Sequence, residues 1–200
     1  MARRRDMYAP LEIPKQLTLP ETRVFEDKKI TFRMMTPADR QLLADFGARL
    51  NREDLVFMRM DISRPESVDE WCSNVECDRT KTIIALDESG GLVGYASLHQ
   101  NKLLWTRHLG EIRLFVLREY RDLGIGRVLA GLVLCLAAEN GVKIVEVNVP
   151  RIQPEVQRVL QKLGFQPEAL LTDWLMDPEG HTHDMIIMSY RFDDRIERGD

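Results

Sequence analysis

Cysteine is scarce in this chain: Cys72, Cys77 and Cys135 are the three among 200 residues. They form no Cys-x-x-Cys and no metal-type pair, which argues against a zinc finger or a dithiol redox site. Long apolar runs are missing too. The longest strongly apolar stretch, Val128 to Ala138, is far short of the ~20 residues that span a bilayer. Charge of one sign is not in excess, with 28 Lys and Arg against 32 Asp and Glu. A formal net charge of −4 gives no global pull toward nucleic acid or an anionic membrane. No apolar signal core follows the opening Met-Ala-Arg-Arg-Arg-Asp, so secretion is not expected. With an odd number of thiols, the expected setting is a reduced one, the cytoplasm. No internal repeat and no low-complexity segment stands out.

What is present suits a globular domain. Hydrophobic residues make up 44% and charged residues 30%, enough to bury a sizeable core. Residues 1–28 carry Pro10, Pro14 and Pro20 and read as an irregular N-terminal arm. Its arginine triplet reads as a solvated end rather than a nucleic-acid contact. The domain proper is expected over residues 29–193, with a charged tail at 194–200.

Within the domain, Ile30 to Met35 reads as a strand. Thr36-Pro37 is an N-cap followed by proline at the first helical position, opening a helix to about Leu50. A second helix is expected over Glu66 to Val75. Strands follow over Thr80–Leu86, Leu92–Gln100 and Leu109–Leu117. The Asp87–Gly91 turn separates the first two, and the short links imply an antiparallel meander. Val128–Glu139 is a helix with an apolar face, closed by Asn140-Gly141. Cys135 falls inside that pattern and reads as core. Val142–Val149 alternates with period two, as a strand does. Pro154–Leu163 is a helix ended by Gly164, Phe165 opens an extended stretch, and Asp184–Phe192 is the last strand. The class is α/β, a mixed sheet with helices packed on it.

The informative stretch is Glu119-Tyr-Arg-Asp-Leu-Gly-Ile-Gly-Arg-Val128. Two glycines, Gly124 and Gly126, stand where a helix begins. The first turn of a helix has N–H groups with no partner, and the helix dipole adds partial positive charge there. Glycines let an anion approach, and Arg121 and Arg127 add whole charges. The chemistry suits a pyrophosphate. A P-loop is excluded because the Gly-Lys-[Ser/Thr] ending is absent. A dinucleotide fingerprint fits poorly: the third glycine is replaced by Leu129, and a charged stretch separates strand from glycines. Glu146 does lie about 20 residues on, but too little chain follows it for a doubly wound fold.

Arg121-Asp-Leu-Gly-Ile-Gly126 resembles the acyl-CoA loop of GCN5-related N-acetyltransferases, written [QR]-x-x-G-x-[GA]. Leu114-Phe-Val-Leu-Arg-Glu-Tyr120 resembles that family's fourth strand and its exit. Leu160-Gln-Lys-Leu-Gly-Phe165 resembles its late helix-turn. The order of elements from Ile30 to Phe192 agrees as well. The resemblance implies a central, mostly antiparallel sheet splayed between its fourth and fifth strands, Leu109–Leu117 and Val142–Val149, with helices on both faces. It implies acetyl-CoA as the donor and an amine as the acceptor. The pyrophosphate would rest on the N–H groups of Leu123, Gly124, Ile125, Gly126 and Arg127, with Arg121 beside it. The pantetheine arm would pair like an added strand near Val116 and Leu117.

A neutral amine must attack the thioester, so a base is needed at neutral pH. A glutamate in the position of Glu111 has that role in the bacterial protein-lysine acetyltransferase branch, the branch this pattern most resembles. An exposed strand glutamate paired with Arg113 is the plain reading of the same residue. Glu146 on the next strand is the second candidate, with a structural salt bridge as its alternative. The resemblance also implies the N–H of Val116 as the oxyanion donor. The family's usual tyrosine acid falls at Leu160, and the usual asparagine at Gln153, so that acid is missing. Tyr120 is nearby and reads as packing under the loop. His181-x-His183 lacks a third ligand, so no metal is expected. His99 and His108 flank a loop with Asn101, Lys102, Trp105 and Arg107. Trp71, Trp105 and Trp174 read as packing residues, with Trp105 placed to line an acceptor site. A catalytically weak acyl-CoA sensor is the rival function. No nucleic-acid or membrane partner is expected, and a homodimer is compatible with the sequence.

Overall fold

The computed structural model describes residues 11–56, 58, 60–74, 79–102 and 105–192. Its eight strands form one sheet. They are β1 (Glu21–Phe25), β2 (Lys28–Met34), β3 (Thr80–Leu86), β4 (Leu92–His99), β5 (Leu109–Val116), β6 (Ile144–Pro150), β7 (Gln166–Met176) and β8 (Thr182–Arg191). The order across the sheet is β1-β2-β3-β4-β5-β6-β8-β7. Every neighbouring pair is antiparallel except β5 and β6. Helices α1 (Arg40–Ala48), α2 (Arg52–Leu55) and α3 (Pro65–Asn74) precede β3, α4 (Ile125–Glu139) follows β5, and α5 (Pro154–Lys162) follows β6. The mixed sheet and the expected meander β3-β4-β5 are both present.

Local chemistry sets most boundaries. Pro37 opens a single 3-10 turn, and Asp39 reaches back to the Thr36 N–H at 2.8 Å. Arg33 clamps both oxygens of that carboxylate at 2.7 and 2.6 Å. In the β3–β4 turn, Asp87 accepts from the N–H groups of Ser89 and Gly91, both at 2.9 Å. Gly141 and Gly164 end α4 and α5 with positive φ, and the next residues, Val142 and Phe165, bond back to Ala137 and Leu160. The short helix α2 was not legible in advance. Asn51 caps it by accepting from the Asp54 N–H at 2.9 Å.

Two apolar cores lie on the two faces of the sheet. Ile30, Phe32, Val93, Leu129, Leu132 and Phe165 belong to the core under α4 and α5. Leu43, Phe46, Trp71, Ile84 and Tyr95 belong to the one under α1 and α3.

The expected irregular arm needs correction. Its first ten residues and the tail from 193 onward lie outside the described residues, but residues 21–25 form β1, an edge strand on β2. The five-residue stretch is too short to read as a strand alone. Pairing decides it: Thr22 meets Thr31 hydroxyl to hydroxyl at 3.0 Å, and Phe25 sets edge to face against Phe32. Leu11, Ile13, Leu17 and Leu19 pack on the core, and the Leu17 N–H donates to Glu139 at 2.7 Å. The arm therefore covers α4, which explains a helix buried on nearly all sides, from Leu129 through Ala137.

Candidate active site

The β5–β6 pairing is short. It joins Leu109 to Ile144, Gly110 to Val145 and Glu111 to Glu146, and then stops. Beyond Glu111 the two strands diverge, so the sheet opens between them. Backbone direction follows from the other edge of β5. The Leu117 N–H donates to Val93 at 2.9 Å. Alternation along an antiparallel ladder then assigns Phe115, Arg113 and Glu111 to bonds with β4. Ile112, Leu114 and Val116 turn their backbone groups toward the gap. Val116 thus lies where it was expected, with its N–H facing the opening. Leu117 does not face it: the residue is 2% exposed and its N–H is spent on β4. Leu114 was missed from the sequence, because the gap-facing parity of β5 depends on its register with β4.

At the far end of the gap lies the glycine turn. Gly124 caps α4 with φ 95°, a left-handed conformation that glycine adopts without penalty. The first helical bonds run from the N–H groups of Arg127 and Val128 to the Gly124 carbonyl. The N–H groups of Gly124, Ile125 and Gly126 precede that ladder and sit in the first turn, where a helix has no partner for them. The Ile125 side chain is buried at 0% exposure, so only its backbone can serve a ligand. A groove of about 2040 Å³ joins this turn to the opened sheet; Leu123, Gly124, Gly126, Arg127, Val116 and Leu114 are among the residues lining it.

Arg121 is held by the protein itself. Its Nε donates to the Val116 carbonyl at 2.9 Å, and its guanidinium bonds Asp54 at 3.1 Å and lies over the Phe115 ring. Arg118 bonds Glu53 at 2.7 Å. Helix α2 is therefore tied to the glycine turn by two arginines. Its other end reaches the β7–β8 turn through an Arg52–Glu179 ion pair. Tyr120 packs below the loop, as expected, and donates to Asp87 at 2.9 Å.

Glu111 and Glu146 are register partners on the last pair before the sheet opens. Their side chains share a sheet face, the one covered by α1 and α3. Glu111 is 15% exposed and accepts from Arg113 Nε at 3.1 Å. Glu111 stands five residues from Val116, about 16 Å of strand, and three from Leu114, about 10 Å. Leu114 is thus the nearer gap-facing N–H. Beyond Arg113 the same face carries Tyr95 and Phe115, stacked at 6.5 Å. Burial pushes the Tyr95 phenol well above its ordinary range, so it stays protonated.

The remaining candidates are sorted by their surroundings. Leu160, at the position of the family's tyrosine, is 9% exposed and in the core. His181 and His183 both turn to Asp177, at 3.3 and 2.9 Å. No cluster of three or more metal-ligating residues occurs among the described residues. His99 bonds Thr80 at 3.0 Å and lies opposite Glu111 on β4. Trp71 packs in the core, but Trp105 and Trp174 are 83% and 65% exposed. Their packing was expected wrongly: β7 is the sheet's edge, so one flank of Trp174 has no neighbouring strand. No helix among the described residues is long and apolar enough to cross a membrane.

The opened parallel pair, with a glycine-capped helix at one end of the gap and a carboxylate pair at the other, forms the candidate site of a transferase fold. The sequence model of the Acetyltransferase (GNAT) family matches residues 48–165, and the chain belongs to that family. Solved structures agree in fold. A ribosomal-protein-S5-alanine acetyltransferase from Vibrio fischeri superposes with TM-score 0.71 at 19% identity, covering 87% of this chain and 98% of that one. A ribosomal-protein-alanine N-acetyltransferase from Brucella melitensis gives 0.69 at 23%, covering 80% and 99%. A phosphinothricin acetyltransferase from Sinorhizobium meliloti, solved with acetyl-CoA, gives 0.69 at 20%, covering 82% and 88%.

Proposed function

We infer that the chain transfers an acetyl group from acetyl-CoA to a primary amine, protein lysine included among the acceptors, by direct attack. The observation that carries this reading is the ending of the β5–β6 pairing at Glu111 and Glu146. It puts two carboxylates at the mouth of a gap that runs to the glycine turn. The first-turn N–H groups of α4 would hold the pyrophosphate, and the gap-facing backbone of Leu114 and Val116 would pair with the pantetheine amides. Glu111 takes the proton as the amine nitrogen attacks the thioester carbonyl, with Glu146 as the second base. A gap-facing N–H, from Leu114 or Val116, stabilises the oxyanion. The carbon–sulfur bond then breaks and the sulfur leaves as thiolate, which needs no tyrosine acid because a thiol is already fairly acidic. Buried, unpaired Cys72 and Cys135 support a reducing, cytoplasmic setting.

The test measures CoA release from acetyl-CoA with a panel of amines and peptides, for wild type and Glu111→Gln. The expected loss is about 10²- to 10⁴-fold in kcat, the usual range for a general base, with acetyl-CoA affinity unchanged by calorimetry. The reading fails if the wild type binds no acetyl-CoA. The buried Leu160 in place of a tyrosine favours a second reading, an acyl-CoA sensor without turnover. Acetyl-CoA binding with no acceptor consumed, unaffected by Glu111→Gln, would select it.

A further inference from the structure

Along β3, β4 and β5, the core under α1 and α3 reaches Ile84, Tyr95 and Phe115, which stand side by side across the sheet. Two residues away on each strand, the same face turns polar. Thr82, Ser97 and Arg113 form the next row, and Thr80, His99 and Glu111 the one after it. Glu146 on β6 and Ser189 on β8 continue that second row. The rows are not a solvated fringe. Thr82 and Ser97 are 1% and 0% exposed, and their hydroxyls meet at 3.0 Å. His99 is half-buried, and its Nδ1 lies 3.0 Å from the Thr80 hydroxyl, a contact that holds the ring in place. Thr80, Ser97, His99, Glu111 and Arg113 line the same groove as the glycine turn.

His99 and Glu111 are direct cross-strand partners. Cβ atoms in such pairs lie about 4.5–5.5 Å apart, so the ring and the carboxylate can meet directly or across one water. Among the described residues of β3 to β6, two other charged groups share this face beside them. Arg113 donates to Glu111 at 3.1 Å, and Glu146 is its register partner on β6. From β3 the neighbour is the neutral Thr80, because Lys81 turns to the other face and bonds Asn140 at 2.5 Å.

The reaction has more protons to move than Glu111 can hold. An alkyl amine of lysine type titrates near ~10.4 and arrives as an ammonium at neutral pH. Its nitrogen loses two protons, one before it can attack and one as the N–C bond forms. The departing thiolate can accept only one of them, and only after the C–S bond has broken. The other must leave before the attack. An imidazole, ordinarily titrating near ~6.5, is the side chain suited to carry it at neutral pH.

We propose that His99 is a positioning residue that relays the acceptor's first proton away from Glu111. The proposal rests on the acetyltransferase reading above. The ammonium gives that proton to the Glu111 carboxylate. Glu111 passes it to the His99 ring, which goes from imidazole to imidazolium and releases it to solvent. Glu111, a carboxylate again, takes the second proton as the nitrogen attacks the thioester carbonyl. The C–S bond then breaks. The thiolate is protonated in turn, directly or through solvent, and Glu111 is left ionised for the next acceptor.

The experiment compares wild type, His99→Gln and Thr80→Val at saturating acetyl-CoA with two acceptors. Ethylamine is an ammonium at neutral pH, whereas its weakly basic analogue 2,2,2-trifluoroethylamine is already neutral. With ethylamine, His99→Gln should lower kcat about 10²-fold, the low end for an assisted proton transfer. With trifluoroethylamine it should stay close to wild type, because no first proton has to be removed. Thr80→Val, which releases the ring, should show the same split at smaller size. Acetyl-CoA affinity by calorimetry should be unchanged in both variants. Imidazole added to His99→Ala should restore ethylamine turnover. A readout without turnover is the His99 ring titration, followed by NMR. In Glu111→Gln it should move to lower pH by about 1, since an adjacent carboxylate favours the imidazolium. If no amine is consumed, the acetyltransferase reading fails on its own, while a moved His99 titration still shows a coupled pair. Equal kcat losses with both amines would overturn the proposal, since a purely structural role lowers both alike. So would a His99 titration indifferent to Glu111→Gln, or an ethylamine-specific loss that Glu146→Gln shows and His99→Gln does not.

Discussion

Gly124 and Gly126 sit two residues apart at the start of α4, yet replacing each with alanine should have opposite effects. Gly124 has φ 95°, and a Cβ there would meet the Phe25 ring no closer than 3.8 Å. Space is available, and the penalty is conformational: an L-residue in this region costs about 1–2 kcal/mol. Gly126 is the reverse. It lies inside the helix with ordinary φ, and a Cβ would touch Val116 Cγ2 at 3.6 Å and Leu114 Cδ2 at 3.7 Å, normal contacts. Alanine there gains helix propensity of about 0.5–1 kcal/mol. For a chain of 200 residues, 1 kcal/mol moves Tm by about 2–4 °C. Gly124→Ala should therefore lower Tm by about 2–8 °C, and Gly126→Ala should raise it by about 1–4 °C. Binding should follow the same split. Strain at Gly124 turns the first-turn N–H groups away from a common anion, so acetyl-CoA affinity should fall about tenfold or more, as when one charge-assisted hydrogen bond is lost. Gly126→Ala should bind within about threefold of wild type, in keeping with the alanine that the family's loop pattern allows. Gly126→Val, whose branches must enter the groove floor, should not. The assays are differential scanning calorimetry and isothermal titration with acetyl-CoA. A Gly124→Ala protein at least as stable as wild type, or Gly126→Ala less stable than Gly124→Ala, would refute the assignment of these two roles.

Two further perturbations test the frame around the site. Hydrogen bonding from Arg33 holds the Asp39 carboxyl below the usual carboxylate range, so the stability it contributes is complete above about pH 4 and lost as pH falls through its folded value. Asp39→Asn should cost about 2 kcal/mol at pH 7, and its denaturation curve should converge on wild type toward pH 2; a constant gap across that range would show that the ion pair is not the cause. A Cβ on Gly131 would stand 2.5 Å from the Glu12 backbone carbonyl, where only movement of the arm could relieve it. Gly131→Ala should destabilise by about 1–3 kcal/mol despite its better helix propensity, measured by urea denaturation, and an unchanged or higher midpoint would mean the arm is not pressed on α4.

The sequence by itself determined the elements whose signals are local. Asn140-Gly141 and Gly164 end helices because only a residue free of Cβ strain takes the left-handed turn there. Val142–Val149 alternates because one strand has two faces. The Arg121–Gly126 loop identified its ligand class because an anion site at a helix start needs glycines and charge within a few residues. Tertiary structure alone decided everything that depends on pairing across long separations. Residues 21–25 are a strand because β2 offers an edge, and nothing within those five residues requires it. Val116 faces the gap and Leu117 does not, because the register with β4 assigns their N–H groups to opposite edges. Glu111 and Glu146 oppose each other only because a parallel pair ends at that step. Trp71 meets Tyr95 edge to face and Tyr95 stacks on Phe115, contacts between parts of the chain far apart in sequence. Such contacts have no local pattern to read, since packing between α3 and the sheet creates them.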